Sequence, residues 1–231
     1  MTDSTCSFEM KPVPEGTAHG WALKVDGKCT AWHHVELAHP SYGTLTAGQR
    51  PEGYPSWVFR EVHGGGAVTL VSAITDDGEL LIGLVQEKRA NMTGGELQLV
   101  LCIVGGFVDP DEDHDQAQAR EGSEEVGLDT VKAQALPGLP INPNRAFFVA
   151  DINKGEGVVP YALQLPMEML EFDAQAGHWE IKEKGLLPSV KKEADLVFLP
   201  WYEAVTKTAD AFALAAIARL LATLRGQHVA C

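Results

Sequence analysis

Glu121, Glu124 and Glu125 stand at i, i+3 and i+4, a spacing that on a helix brings three carboxylates onto one face within reach of one another. Like charges so placed repel, and near the C-terminal end of a helix the macrodipole disfavours them further. A cation relieves both effects. Hard divalent ions such as Mg²⁺ take oxygen ligands and are typically held by a few carboxylates together with substrate phosphates. An acidic cluster standing alone reads as a solvated helix face. The wider spacing decides between the two.

The cluster closes a stretch running from Gly106 to Leu128, GFVDPDEDHDQAQAREGSEEVGL. The element that must position the carboxylates is a helix: Asp113 can serve as its N-cap, and from there to Val126 only Gly122 interrupts helix-forming residues. A glycine turn at Gly106 precedes it. Glu112 and the pair Arg120-Glu121 complete the set. This stretch resembles the Nudix box: a glycine, five residues, a glutamate, seven residues, Arg-Glu, an apolar residue, any residue, Glu-Glu, any residue, glycine and an apolar residue. All seven fixed positions are met, by Gly106, Glu112, Arg120, Glu121, Glu124, Glu125 and Gly127. With about one chance in twenty per position, a fortuitous match at a given start is on the order of 10⁻⁹. One position departs from the pattern, since Gly122 fills the apolar slot. A glycine inside a helix costs about 1 kcal/mol relative to alanine, so either close packing requires it or the site is weakened.

The resemblance covers roughly Trp57 to Gly226 and implies a Nudix-type α/β/α sandwich with a mixed sheet, preceded by an N-terminal β extension. The corresponding boundaries are 1–55 for the extension and 56–231 for the domain. It further implies metal-dependent hydrolysis of the pyrophosphate bond in a nucleoside diphosphate linked to another group. By the same resemblance Glu121, Glu124 and Glu125 are metal ligands for Mg²⁺ or Mn²⁺, joined by Glu112 and by a carbonyl of Gly105 or Gly106. Arg120 orients a box carboxylate, a task suited to a bidentate guanidinium. The general base comes from the box or from a downstream loop, where Glu180 and Glu183 are the candidates.

Within the family the chain looks most like the ADP-ribose pyrophosphatase branch, which yields AMP and ribose 5-phosphate. Its length, its N-terminal extension, the Gln-Glu-Lys-Arg run at 86–89 and Pro143, fifteen positions after Leu128, support this. The run from Cys102 to Gly106 lacks the glutamate and proline usual there. Trp57, Trp32 and Phe59 are candidates for stacking on a base, and Arg60 and Arg89 for contacting phosphates. A homodimer is the assembly this branch implies. Two alternatives stay open: a Nudix hydrolase of dinucleotides or nucleoside triphosphates, and a catalytically weak nucleotide-binding sensor on the same scaffold.

Composition narrows the partners. In 231 residues there are 18 Lys and Arg against 32 Asp and Glu, a net charge of −14, and no basic patch suited to a phosphate backbone, so long nucleic acid is not expected. Small anionic substrates remain compatible where metal ions supply positive charge. Four scattered cysteines form no CxxC motif, and Cys102 reads as a small core residue. With no apolar run of membrane-spanning length and no signal-peptide pattern, a cytoplasmic protein is the expectation. His33, His34 and His39 lack matching ligand spacing and read as ordinary histidines.

Periodicity places the remaining elements. A hairpin is expected around Trp21 to Trp32 with its turn at Asp26-Gly27, and strands over Trp57–Val62, Ala67–Thr75, Glu79–Gln86 and Gln98–Val104. Gly64-Gly65-Gly66 reads as a break and Asp76-Asp77-Gly78 as a hairpin turn. After the box, strands are expected at Thr130–Leu136, Ala146–Ile152, Val158–Leu165 and Leu196–Leu199. Pro166–Lys192 reads as a long functional loop. Asp210 caps a last helix, Ala211–Leu224, ended by Gly226.

Overall fold

The computed structural model describes residues 7–12, 22–25, 28–39, 43–49, 55–61, 65–89, 99–142, 149–150, 157–188 and 193–229. The chain folds as two compact units, one made of 1–65 with 141–157 and the other of 66–140 with 158–231.

The first unit is β-structure. Ser7–Pro12 (β1), Ala22–Val25 (β2), Lys28–His39 (β3), Gly43–Gln49 (β4) and Pro55–Glu61 (β5) form an antiparallel sheet in the order β1-β3-β4-β5, with β2 also paired to β3. The expected N-terminal hairpin is present, Val25 standing opposite Lys28, although its turn residues Asp26 and Gly27 lie outside the described residues. The expected strand at Trp57 is β5. Further along the chain, β11 (Ile141–Asn142) and β12 (Val149–Ala150) make a short hairpin of this unit.

The second unit holds Gly65–Ile74 (β6), Leu80–Lys88 (β7), Leu99–Cys102 (β8), Val104–Phe107 (β9), Gln134–Ala135 (β10), Gly157–Leu165 (β13), Leu170–Asp173 (β14), His178–Ile181 (β15) and Asp195–Pro200 (β16). Its helices are His114–Val126 (α1), Trp201–Lys207 (α2) and Ala211–Val229 (α3). The mixed sheet runs β13-β6-β7-β16-β15-β14, with β10 on β13, β8 on β7 and β9 on β6.

Side-chain alternation along the central strands builds a core on each face of this sheet. Val68, Leu70, Ile82, Leu84 and Leu199 pack with Ala204 of α2 and with Ala213, Ala216, Ile217 and Leu220 of α3. The other parity, Val71, Ala73, Leu81, Val85, Leu196 and Phe198, packs with Val126 at the end of α1 and with Leu128. Covered on both sides, β6 is buried from Gly65 through Ala73, as a central strand must be. The expected α/β/α sandwich is thus what the chain forms.

Several local expectations are corrected. The Gly64–Gly66 break does not hold at Gly65 and Gly66, which open β6. The strand expected over Gln98–Val104 breaks at Ile103, and Gly106, expected as a turn, lies with Gly105 inside β9. Thr130–Leu136 yields only the two-residue β10. The long loop of Pro166–Lys192 contains a 3₁₀ turn at Met167–Met169, the antiparallel hairpin β14–β15 and a second turn at Glu183–Gly185. Helix α2 was not expected, and α3 runs past Gly226 to Val229. No described helix is long and apolar enough to cross a membrane.

Candidate active site

Helix α1 begins as its sequence requires. The Asp113 side chain accepts from the Gln116 amide at 2.9 Å while the Gln116 side chain accepts from the Asp113 amide at 2.9 Å, a reciprocal capping box. At the other end Gly127 adopts φ 68° and donates to the Ser123 carbonyl at 3.0 Å, the left-handed stop that glycine allows. No basic side chain occupies the last turn. Its carbonyls are satisfied by backbone instead: Glu193 and Ala194 donate to the Glu125 carbonyl at 3.0 and 2.9 Å, and Leu187 donates to Gly127 at 2.8 Å. Leu187, within the stretch expected as a long loop, and Glu193 and Ala194 just past it therefore dock on the end of the helix that carries the acidic cluster.

The face turned to the protein is lined by Ala117, Gln118, Gly122 and Val126. A Cβ on Gly122 would stand 2.3 Å from Thr130 Oγ1 and 2.4 Å from its Cγ2. Close packing therefore accounts for the glycine in the apolar slot, and the surface it meets is Thr130 in the following loop.

Strand β9 presses against the other flank of the helix. Gly105 has φ 149°, and a Cβ there would lie 2.2 Å from the Ala67 carbonyl oxygen. At Gly106 a Cβ would stand 2.3 Å from Glu121 Oε1. Glycine is needed at both places, once for the backbone and once to seat a carboxylate. The Gly105 amide donates to Glu125 Oε2 at 2.9 Å.

Arg120 organises the remainder. Its Nε and Nη2 donate to the two oxygens of Glu112, each at 3.1 Å, and its Nη1 donates to Glu121 at 2.7 Å and to Glu124 at 3.2 Å. Nη2 also donates to the Phe107 carbonyl at 2.8 Å. A guanidinium has five N–H donors, and five contacts to the protein occupy them. Arg120 is accordingly a positioning residue, and its pKa is raised, chiefly by the bond to Glu112. That same bond holds Glu112 below the usual carboxylate range, with help from the Asp109 amide at 3.0 Å.

The other carboxylates differ in setting. Glu121 is 13% exposed and Glu124 is 55% exposed, so Glu124 is the one reaching into solvent. Burial raises the pKa of Glu121 against the opposing pull of Arg120. Burial likewise pushes Glu125 up to about 7, offset in part by the Gly105 amide. Arg89, beyond the end of β7, contributes to the field at Glu125. Burial acts to lower the Arg89 pKa, but its hydrogen bond to Glu87 and the neighbouring acidic charges outweigh this and raise it.

In donor chemistry the cluster fits a hard divalent cation. Glu121 and Glu125 are carboxylates in poorly hydrated surroundings with raised pKa values, anions short of positive charge. Among the described residues no three acidic, histidine or cysteine side chains converge on one point. Arg120 draws Glu121 and Glu124 to itself while Gly105 holds Glu125.

The structure thus brings Gly105, Gly106, Glu112, Arg120, Glu121, Glu124 and Glu125 together, with Arg89 in electrostatic range. Trp57 and Arg60 sit on β5, opposite Ala47 and Thr44. Pro143 lies outside the described residues. Glu180 is on strand β15 with its carboxylate 2.9 Å from His178 Nε2, and Glu183 opens the second 3₁₀ turn, so neither is on the loop expected. Cys102 is buried, its thiol pushed up to about 12 by desolvation, in keeping with a core residue. Sequence reasoning missed Asp210 as a second support. Its Oδ2 accepts from the Ile103 amide at 2.9 Å while its Oδ1 caps α3 through Phe212 at 2.8 Å. The cap was readable, but a bond spanning 107 positions was not.

Residues 65–157 match the family model of the NUDIX domain. The chain therefore carries a Nudix domain. No curated protein matches it. Among solved structures, one described as an ADP compounds hydrolase aligns with TM-score 0.45 at 14% identity, covering 96% of this chain and 95% of that one. A C. elegans Ap4A hydrolase in a binary complex aligns with TM-score 0.43 at 15% identity, covering 71% of this chain and 98% of that one.

Proposed function

We propose that the protein is a divalent-metal-dependent hydrolase of the pyrophosphate bond in nucleoside diphosphate derivatives, with ADP-ribose or a related nucleoside diphosphate sugar as substrate. The observation that carries this reading is the arrangement of Glu121, Glu124 and Glu125 on one flank of α1, braced by Arg120 and by the two glycines of β9. Glu121, Glu124 and Glu125 are the side chains that would hold Mg²⁺ or Mn²⁺, which supplies charge neutralisation on the diphosphate and Lewis acidity toward water.

The chain's own groups do the rest. Arg120 keeps Glu121 and Glu124 from splaying apart, and Glu112 fixes the guanidinium by a two-point contact. Gly105 orients Glu125 through its amide. Burial raises the pKa of Glu125 in the metal-free chain, so a cation beside it would favour the ionised carboxylate that a ligand must be. Arg89, paired with Glu87 at the strand end and in the electrostatic field of Glu125, is a candidate for contacting a substrate phosphate. Trp57, Arg60 and Pro143 are the further candidates for the sugar and base. ADP-ribose is favoured over dinucleotides and triphosphates by the 86–89 run, the β-rich N-terminal unit and Pro143.

Hydrolysis of a panel of ADP-ribose, other nucleoside diphosphate sugars, NADH and nucleoside triphosphates with Mg²⁺ tests this. The expected result is AMP and ribose 5-phosphate from ADP-ribose, with kcat lowered by roughly 10²-fold or more in Glu124→Gln. Preference for another panel member would keep the chemistry and replace the substrate. Nucleotide binding without turnover would leave a sensor on the same scaffold.

A further inference from the structure

Strand pairing changes partner within one residue on the approach to the acidic cluster. Cys102 of β8 stands opposite Val85 of β7, and Val104 of β9 stands opposite Thr69 of β6. Ile103, between them, belongs to neither strand. Strands β6 and β7 pair with each other over Val71–Ile74 and Leu80–Gly83, so the 99–107 segment crosses from one to the other where they no longer pair. A chain that switches partners leaves backbone groups outside the ladder, and buried groups of that kind need another partner.

Here two side chains supply it. Asp210 Oδ2 accepts from the Ile103 amide at 2.9 Å, and the Thr208 hydroxyl donates to the Leu101 carbonyl at 2.7 Å. Both residues belong to the short connection between α2 and α3. That connection is itself locked, because the Asp210 amide donates to Thr208 Oγ1 at 3.0 Å and Asp210 Oδ1 accepts from the Phe212 amide at 2.8 Å. Capping α3 requires one acceptor. Asp210 supplies two, and the second is spent on the crossing. Two residues beyond Ile103 the Gly105 amide holds Glu125 at 2.9 Å, and the bare Cα of Gly106 seats Glu121. A shift at Ile103 is carried to Gly105 along only about 7 Å of extended chain.

We propose that Asp210 and Thr208 are positioning residues of the acidic cluster, fixing the crossing from β7 to β6 and through it the Gly105 amide that orients Glu125. Their part in catalysis rests on the reading of that cluster as a metal site; their hold on Gly105 does not.

Three substitutions in the full chain test it. Asp210→Asn keeps the size of the side chain and one oxygen for the α3 cap, but turns an NH₂ group on the Ile103 amide. Thr208→Val removes the hydroxyl at nearly constant shape, and Thr208→Ser restores it. Amide exchange in chelator, followed residue by residue by NMR, should show the protection of Gly105 falling about tenfold in Asp210→Asn and Thr208→Val relative to the central amides of β6 and β7. Thr208→Ser should stay close to wild type. Calorimetric titration with Mn²⁺ should find affinity weakened about tenfold in the same two variants. Ile217→Val, which thins the core beside α3 and breaks no hydrogen bond, should lower the melting temperature by a few degrees and move neither readout. The inference is overturned if Asp210→Asn melts below wild type yet keeps both the Gly105 protection and the Mn²⁺ affinity, the outcome for a helix cap alone. Equal losses in Thr208→Ser and Thr208→Val overturn it as well, and this pair decides the case if Asp210→Asn does not fold. A wild-type chain that binds no Mn²⁺ would remove the metal-site reading, while the exchange of Gly105 would still decide this one.

Discussion

Glu125 shows how one side chain is held in tension by its surroundings. It is ionised at the cost of desolvation and of repulsion from Glu121 and Glu87, and the Gly105 amide returns only part of that cost. A rise from 4.5 to about 7 corresponds to about 3 kcal/mol between protonation states. Because the folded-state pKa lies above the unfolded value, ionisation is harder in the folded chain. The contribution to stability is fully present below 4.5 and is lost as pH rises through about 7. Glu125→Gln should therefore raise the thermal midpoint by several degrees at pH 8 in chelator and leave it nearly unchanged below pH 5. Saturating Mg²⁺ should narrow the gap by stabilising the wild type alone. Melting curves of both proteins at the two pH values decide it, and equal midpoints at pH 8 would show that Glu125 is better solvated than its burial implies.

Among the elements, α1 was the one most legible in the sequence, and what surrounds it the least. Its cap, its length and its carboxylate face follow from local rules of spacing and capping, and the structure reproduces them from Asp113 to Gly127. The hairpin β14–β15 was hidden because its strands, LEFD and HWEI, are half-exposed and charged, so alternation signals no buried face. Gly226 failed to end α3 because no neighbour constrains it, and the helix absorbs the cost of about 1 kcal/mol. The glycine pair before the box was readable as a motif but not as a strand, since its reasons are the Ala67 backbone and the Glu121 carboxylate. Gly122 belongs to the same class: its cause is Thr130, in a different local structure. Helix propensity alone says that Gly122→Ala stabilises by about 1 kcal/mol. The contact at 2.3 Å says the reverse, with an expected net loss of about 1–3 kcal/mol for overpacking. Denaturant unfolding should show that loss, and Thr130→Ala in the same chain should recover part of it by removing Oγ1 and Cγ2. A stabilised Gly122→Ala would mean that the glycine weakens the helix for no structural return.

Across the whole molecule the charge balance opposes the proposed substrate. The chain carries a net charge of −14, and a nucleoside diphosphate derivative is itself anionic, so the long-range field repels what the site must collect. Near the box, Arg120 is fully engaged by Glu112, Glu121, Glu124 and Phe107, and Arg89 is bonded to Glu87. Local attraction must then come from divalent ions at the cluster, acting over a few ångströms, while the repulsion acts over the Debye length of about 10 Å or more at low salt. These ranges separate the two effects experimentally. At saturating Mg²⁺, raising KCl from about 20 to about 200 mM shortens the Debye length and should screen the repulsion more than the attraction. The expected result is a kcat/KM for ADP-ribose that rises by roughly twofold, and rises more for a nucleoside triphosphate, whose charge is greater. A basic protein would show a fall. If kcat/KM for this chain falls as well, the field at the cleft mouth is positive despite the net charge, and cations beyond Arg89 and Arg120 must gather the substrate.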